Sequence, residues 1–400
     1  MINKMKKMTF FLLLFVLLPI NIYALDVESS NYIMVNLDTD KIILEEKSNE
    51  RISIASLTKI VTAITVLDNI DNIDTKVTIT SDDLEGLAAL GASVAGFWVG
   101  QTLTIEDLLY GLMLPSGADA ANALVNYFET IDLDLIELMN KTATDLGLVN
   151  SNFVNAHGLD EENHYSTMYD IYNILSHAID NEIFYEIFTT SVYLTSDTKV
   201  TLRSTHGNAM ANNGIENNYI IGAKTGYTSN AGLCLGSISY FDETNFMLIT
   251  CGASKSNSAN HLLDSIDIYS LVDNKYKELA LFDKDDFISY IPAEYAKVLQ
   301  YNIKALDDYY IYAENTSDYK YEFIGVESIN PSTPLESIGV INIYYKNYLL
   351  DTIDVEYDGT LEYSFEGYIA THTELILTVC GSVIMFLVCL SVVCKIVKKG

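Results

Sequence analysis

The chain has 400 residues, 49% of them apolar and 28 of them tyrosine, a composition that excludes a disordered protein and suffices for a packed core. A formal net charge of −31 argues against binding nucleic acid or an anionic lipid surface, both of which need a basic face. Of the five cysteines only Cys234 and Cys251 lie outside the final apolar run. Two cannot build a disulfide framework, and none has zinc-ligand spacing, so buried free thiols are expected, with a cross-strand bond as the alternative.

The first residues carry Lys4, Lys6 and Lys7, then an apolar run from Phe10 to Ile22 and a small residue at Ala24, which reads as a secretory signal over residues 1–24. From Tyr32 to Leu44 two apolar runs flank a polar turn at Asp38–Lys41, the pattern of an opening hairpin. Ile60, Val61, Ile64 and Leu67 recur with helical period, so a helix begins near Ser56. Helical stretches follow at Ile105–Tyr127 and Leu133–Leu146, and strands return at Leu233–Ser239 and Phe246–Cys251. Helices enclosed by early and late strands predict one α/β (α+β) domain over 25–275.

Beyond about residue 275 short alternating runs such as Tyr309–Ala313, Tyr319–Gly325 and Val340–Tyr345 predict a small all-β domain at 278–365. Leu375–Cys394 is apolar without a formal charge and long enough to span a bilayer, giving a transmembrane helix at 375–394. Lys395, Lys398 and Lys399 follow it, so 395–400 is expected to be a cytoplasmic tail, with the body of the chain outside the cell.

Three short segments carry chemistry. In Ala55-Ser56-Leu57-Thr58-Lys59 a serine at a helix start is followed one turn later by a lysine on the same face. The helix start offers free amides and positive potential to the serine oxygen. A partly buried lysine there can lose its proton near neutral pH and serve as a base. Two more Ser-x-x-Lys copies, Ser196–Lys199 and Ser317–Lys320, stand in polar surroundings and read as surface. Pro115-Ser116-Gly117-Ala118-Asp119 places a second serine at an interhelical turn. Gly222-Ala223-Lys224-Thr225-Gly226-Tyr227 precedes the strand at Leu233, and on an edge strand it would let a peptide lie along backbone with a cation and a hydroxyl facing its carboxylate.

Together these segments resemble the D-alanyl-D-alanine carboxypeptidases among the low-molecular-mass penicillin-binding proteins, with their Ser-x-x-Lys, Ser-x-Asn and Lys-Thr-Gly motifs. Asn152–Asp160, His164–Thr167 and Tyr169-Asp170 extend the resemblance over nearly the whole exported part. It implies a serine β-lactamase/penicillin-binding-like catalytic domain, with Ser56 as nucleophile, Lys59 as its base and Ser116 relaying a proton to the leaving amine. Lys224, Thr225, Gly226 and Tyr227 would bind substrate, the amides of Ser56 and Tyr227 holding the oxyanion. The implied partners are peptidoglycan stem peptides, β-lactam inhibitors and the membrane. No metal or organic cofactor is implied.

Two positions depart from the family pattern. Ala118 stands where asparagine is usual, at an expected cost of ~1–3 kcal/mol for a lost polar contact, with Asn122 one turn on as a candidate substitute. His261 stands where relatives often carry an arginine for the substrate carboxylate. It is expected to make that contact only when protonated, so that KM rises with pH through the histidine range. His157 and Asp170 read as structural hydrogen-bonding residues, and Trp98 as core or cleft wall. A β-lactamase would need a deacylating carboxylate that the sequence does not offer. A D,D-endopeptidase and a catalytically impaired peptidoglycan-binding scaffold are the alternatives to a carboxypeptidase.

Overall fold

A computed structural model of the chain describes residues 27–314, 318–334, 337–345 and 348–397. The expected signal segment at 1–24, Ser317 and the terminal residues 398–400 lie outside the described residues. The chain divides into two compact units, residues 1–274 and 275–400.

In the first unit, two short apolar runs near the start of the chain form β1 (Asn31–Asn36) and β2 (Lys41–Glu46). The late strands β3 (Ile220–Thr228), β4 (Gly232–Phe241) and β5 (Thr244–Ala253) join them in an antiparallel sheet of order β2-β1-β5-β4-β3. Tyr32 sits opposite Thr250 and Gly226 opposite Cys234, so both chain ends of the unit close one sheet, and among the described residues β3 is one of its two edge strands, β2 the other.

Between the early and late strands run α1 (Thr58–Asn69), α2 (Ile105–Met113), α3 (Ala118–Thr130), α4 (Leu135–Asp145), α5 (Met168–Ile179), α6 (Glu182–Thr189) and α7 (Thr205–Asn213). After β5 comes α8 (Asn260–Lys275). Helix α1 is buried on every side from Thr58 to Val66, with Ile60, Val61 and Ile64 fully enclosed, each worth about 1.5–3 kcal/mol of apolar burial. A helix so enclosed is a rigid mount for the residues at its start.

The helical stretch expected over Ile105–Tyr127 is two helices. A capping box of Thr104 and Asp107 starts α2, and the chain breaks at Leu114–Gly117 before α3. Cys234 and Cys251 are free and fully buried in the core, as expected. Trp98 is corrected: it is 42% exposed, beneath the Lys199 ammonium, and neither core nor cleft wall. Apolar residues alone did not reveal that its neighbour Phe97 takes the buried place instead.

The second unit has paired strands at Tyr276–Phe282 with Tyr309–Glu314 and at Phe287–Pro292 with Gln300–Lys304. A three-stranded sheet runs through Tyr319–Gly325, Ser337–Tyr345 and Tyr348–Glu356. Its own small core contains Ile291, Ile303, Ile329, Ile338 and Ile341. Two helices follow, α9 (Phe365–Thr371) and α10 (Thr373–Val397). Over Thr373–Ser391 α10 has a mean hydropathy of 2.2 and buries nothing against the protein, and it is long and apolar enough to cross a membrane.

Candidate active site

Ser56 stands in a single 3₁₀ turn, Ala55–Leu57, that leads directly into α1. Ala55 takes a left-handed φ of 48°, an uncommon conformation for a residue with a Cβ. It is held by its neighbours: Gly158, at φ 78°, lies so close that a Cβ there would come within 2.0 Å of the Ala55 carbonyl oxygen. Thr58 Oγ1 donates to the same carbonyl at 2.8 Å and lies 2.8 Å from His164 Nε2. The His164 Nδ1 accepts from the Val154 amide at 3.2 Å, which leaves Nε2–H to donate to Thr58. This network fixes the turn from below.

Lys59, one turn on, is 2% exposed. Its Nζ lies 3.1 Å from Ser56 Oγ and also donates to the His157 carbonyl. Burial pushes the Lys59 pKa down to about 7, partly opposed by the negative charge of Asp119. The amine is therefore available as a proton acceptor near neutral pH.

Ser116 occupies the break between α2 and α3, again with a left-handed φ of 65°. Asp119, fully buried, fastens the turn: its carboxylate accepts from the amides of Ala95, Gly96 and Phe97 at 2.7, 3.0 and 3.2 Å. Ala118 N–H donates to the Ser93 carbonyl at 2.8 Å. The segment through Gly91, Ala92 and Ser93 thereby forms one wall beside Ser116.

The third segment lies on β3. Lys224 is fully buried, and its Nζ donates to Ser116 Oγ at 2.8 Å and to the Thr225 carbonyl at 2.8 Å. Burial first, and the charge of Lys59 second, hold its pKa well below the usual lysine range. Thr225 Oγ1 lies 2.6 Å from Thr205 Oγ1 at the start of α7. At Gly226 the strand passes so close to the nucleophile that a Cβ would stand 3.1 Å from the Ser56 amide nitrogen and 3.2 Å from Ala55 Cβ. Asp160 ties the far end of β3 to this region, accepting from Thr228 Oγ1 and Ser53 Oγ, each at 2.7 Å.

All eight expected site residues, Ser56, Lys59, Ser116, Lys224, Thr225, Gly226, Tyr227 and His261, belong to this place: seven line one cleft of about 280 Å³, and Lys224 lies behind it on Ser116. The sequence did not single out Thr205, Ser93 or Ala209, which also line the cleft. Each comes from a stretch without a motif and reaches the site only by folding. Asp160 and His164, which fall inside the segments Asn152–Asp160 and His164–Thr167, act as supports.

Two expectations are corrected. Asn122 does not replace the missing asparagine, because its Nδ2 donates to the Asp83 carbonyl at 3.1 Å, away from the cleft. It shares a face with Ala118 but stands about 6 Å farther along the helix axis, where it meets the Asp83 carbonyl instead of the cleft. His261 is 4% exposed, its Nδ1 has no partner, and burial pushes its pKa down to about 4. That burial keeps it neutral across the histidine range, so the expected pH-dependent contact does not follow. His157 is structural as expected: its carbonyl receives Lys59 and its Nδ1 accepts from Leu159 N–H at 3.2 Å. Asp170 accepts from Asn150 N–H and Ser151 Oγ at 3.1 and 2.7 Å.

Residues 20–255 match the family model described as D-alanyl-D-alanine carboxypeptidase. The chain is 29% identical over 236 residues to D-alanyl-D-alanine carboxypeptidase DacF of Bacillus subtilis, a stretch covering 58% of this chain and 59% of that one. It is 35% identical over 211 residues to a Streptomyces D-alanyl-D-alanine carboxypeptidase, covering 50% of this chain and 72% of the relative. The match to DacF thus spans well under two thirds of that relative's length. The crystal structure of a Streptomyces DD-transpeptidase superposes with a TM-score of 0.55 at 29% identity, covering 61% of this chain and 96% of that one. Penicillin binding protein 5 from Haemophilus influenzae shares the fold, with a TM-score of 0.60 at 21% identity over 82% of this chain and 96% of its own. The family match covers more than half of the sequence and spans all three motif segments, and the chain belongs to the D-alanyl-D-alanine carboxypeptidase family, with its penicillin-binding α+β fold.

Proposed function

We propose that the chain is a serine-type D-Ala-D-Ala carboxypeptidase that removes the terminal D-alanine from peptidoglycan stem peptides through an acyl-enzyme, and that penicillins inhibit it by acylating the same serine. The observation that carries this reading is the convergence of two serine–lysine pairs, Ser56 with Lys59 and Ser116 with Lys224, in one cleft beside an edge strand.

The substrate would lie along β3, its backbone pairing with the strand edge. With Lys59 neutral, the amine takes the Ser56 hydroxyl proton as Oγ attacks the carbonyl between the two D-alanines. The oxyanion is received by the amides of Ser56 and Tyr227, a preorganised pair worth ~3 kcal/mol per donor. The close passage of β3 at Gly226, where a Cβ would stand 3.1 Å from the Ser56 amide nitrogen, supports this pairing. As the C–N bond breaks, the Ser116 hydroxyl gives its proton to the departing amine and takes up the one Lys59 had accepted, so that Lys59 is neutral again, with Lys224 hydrogen-bonded to the Ser116 oxygen throughout. Water then attacks the acyl carbonyl and gives a proton to Lys59, which passes it to Ser56 Oγ as the ester bond breaks. Thr225, with Thr205 beside it, is the hydroxyl pair for the terminal carboxylate. His261 would offer that group a neutral imidazole N–H.

We further propose that α10 is a single membrane span with the catalytic unit on the outer side. The 19-residue apolar window and the lysines that follow it support this.

The test is D-alanine release from a stem pentapeptide by the full chain, beside Ser56→Ala. Release abolished by the substitution supports the reading. Folded wild type that releases none, yet binds peptidoglycan, would move the assignment to a non-hydrolytic scaffold.

A further inference from the structure

The central strands of the first unit carry a pair of groups that the reaction does not use. Cys234 on β4 and Cys251 on β5 are fully buried in the same core, and both are thiols in this structure. The hairpin joining the two strands turns tightly at Asp242 and Glu243, whose left-handed φ values are 52° and 59°. From that turn the register runs unbroken to Leu235 opposite Thr250. The next step sets Cys234 opposite Cys251, just before a bulge that brings Leu233 to Ala253.

Directly opposed residues of an antiparallel pair have Cα atoms about 4.5–5.5 Å apart, inside the range of about 4.4–6.8 Å that a disulfide spans. Cys234 and Ile238 belong to one core with Met247, Ile249 and Cys251, so the two sulfurs share one side of the sheet. The other three cysteines lie in the final apolar run, so neither thiol has another partner in the first unit. Cys234 Sγ makes only long contacts, to the carbonyls of Ala231 and Gly232 at 3.6 and 3.7 Å.

We propose that Cys234 and Cys251 close a cross-strand disulfide as the first unit folds under oxidising conditions. The step is a thiol–disulfide exchange with a small-molecule or protein disulfide as oxidant. One thiolate attacks the oxidant, and its partner then displaces the mixed disulfide. The pair gives up two protons and two electrons, and the oxidant leaves as two thiols. The exchange belongs to folding and not to the finished core. Once the sheet is packed, burial first and the neighbouring Cys234 second hold the Cys251 thiol well above its usual range, so no thiolate is present to react. Gly226 sits opposite Cys234, so the bond fastens β4 to β5 one strand inward from the Lys-Thr-Gly segment.

The test needs no D-alanine release and so stands apart from the carboxypeptidase reading. The full chain is synthesised in a cell-free extract with detergent micelles, once in a glutathione redox buffer and once in dithiothreitol. Free thiols are alkylated in denaturant, and the digest is read by mass without reduction. The oxidised preparation should yield a linked Cys234–Cys251 peptide, and its first unit should melt roughly 6–12 °C above the reduced one. Cys234→Ala should remove that difference, and in the folded wild type the bond should resist dithiothreitol until urea is added. Both cysteines recovered alkylated from the oxidised preparation would overturn the inference. So would a linked chain that melts no higher than the reduced one, since the two strands would then not fit the bond.

Discussion

Lys59 sets how the site responds to pH. Its pKa is lowered by burial to about 7, and only the neutral amine can accept the Ser56 proton. Below pH 7 the protonated fraction grows, so acylation falls about tenfold per pH unit; above it the rate levels off. The second-order rate constant for acylation by a fluorescent penicillin, followed from pH 5 to 9, checks this. A profile flat across that range would remove Lys59 as the base. His261 makes the opposite prediction. With a pKa near 4 the ring is neutral from pH 5.5 to 8, so KM for the stem peptide stays level over that interval. A KM that climbs steeply there would restore the protonated histidine expected from sequence. The pairing of Ser56 with Lys59 was legible from their spacing on one helix turn, whereas the parts given to Ser116 and Lys224 came from the resemblance of their segments to a known family. The state of His261 was not, because burial is a property of the fold and no neighbour in sequence reports it.

At the scale of elements the site depends on backbone passing close to backbone. Gly226 lies on β3 where a Cβ would come within 3.1 Å of the Ser56 amide, so Gly226→Ala must push the edge strand off the nucleophile turn. In the proposed mechanism, displacement of the Tyr227 amide by a fraction of an ångström would weaken oxyanion binding. We expect acylation to slow by ~10- to 100-fold while the thermal midpoint moves little. Equal acylation by Gly226→Ala and wild type would show that the strand has room to spare. Asp119 acts on a different element. It accepts the amides of Ala95, Gly96 and Phe97, so Asp119→Ala leaves buried donors without partners. A loss of about 2–4 kcal/mol follows, visible as a fall of roughly 5–15 °C in a thermal scan. An unchanged midpoint would contradict that accounting. The glycine of Lys-Thr-Gly could be found in the sequence as a motif, but its reason, the close passage beside Ala55, could not. The wall made by Gly91–Ser93 was missed for the same cause, since no periodicity links it to Ser116.

For the molecule as a whole, the second unit was readable as β-rich from its alternating runs, and the long apolar helix α10 from its uncharged stretch. What the sequence did not disclose is that α9 belongs to the β unit and is not a loose tether to α10. Gly367 sits so tightly on the turn before it that a Cβ would lie 2.0 Å from the Ala296 carbonyl oxygen. Ser364 N–H donates to the Tyr295 carbonyl at 3.0 Å, and Tyr295 N–H donates to Thr371 Oγ1 at 3.2 Å. Tyr295 holds a left-handed φ of 58° and packs against Tyr368 and His372 with ring centroids 5.9 and 5.5 Å away. A bulky residue keeps such a backbone only while its surroundings over-determine it. Two truncations separate the roles of α9 and α10. A chain ending at His372 loses the apolar span but keeps α9 on its seat, so it should be soluble without detergent and melt in the second unit as the full chain does. A chain ending at Ser364 frees Tyr295 from both partners, and the second unit should melt several degrees lower. Penicillin acylation, which needs only groups of the first unit, should be equal in the two. Identical melting of both truncations would return α9 to the status of a linker, because the packing at Gly367 and Tyr295 would then carry no stability.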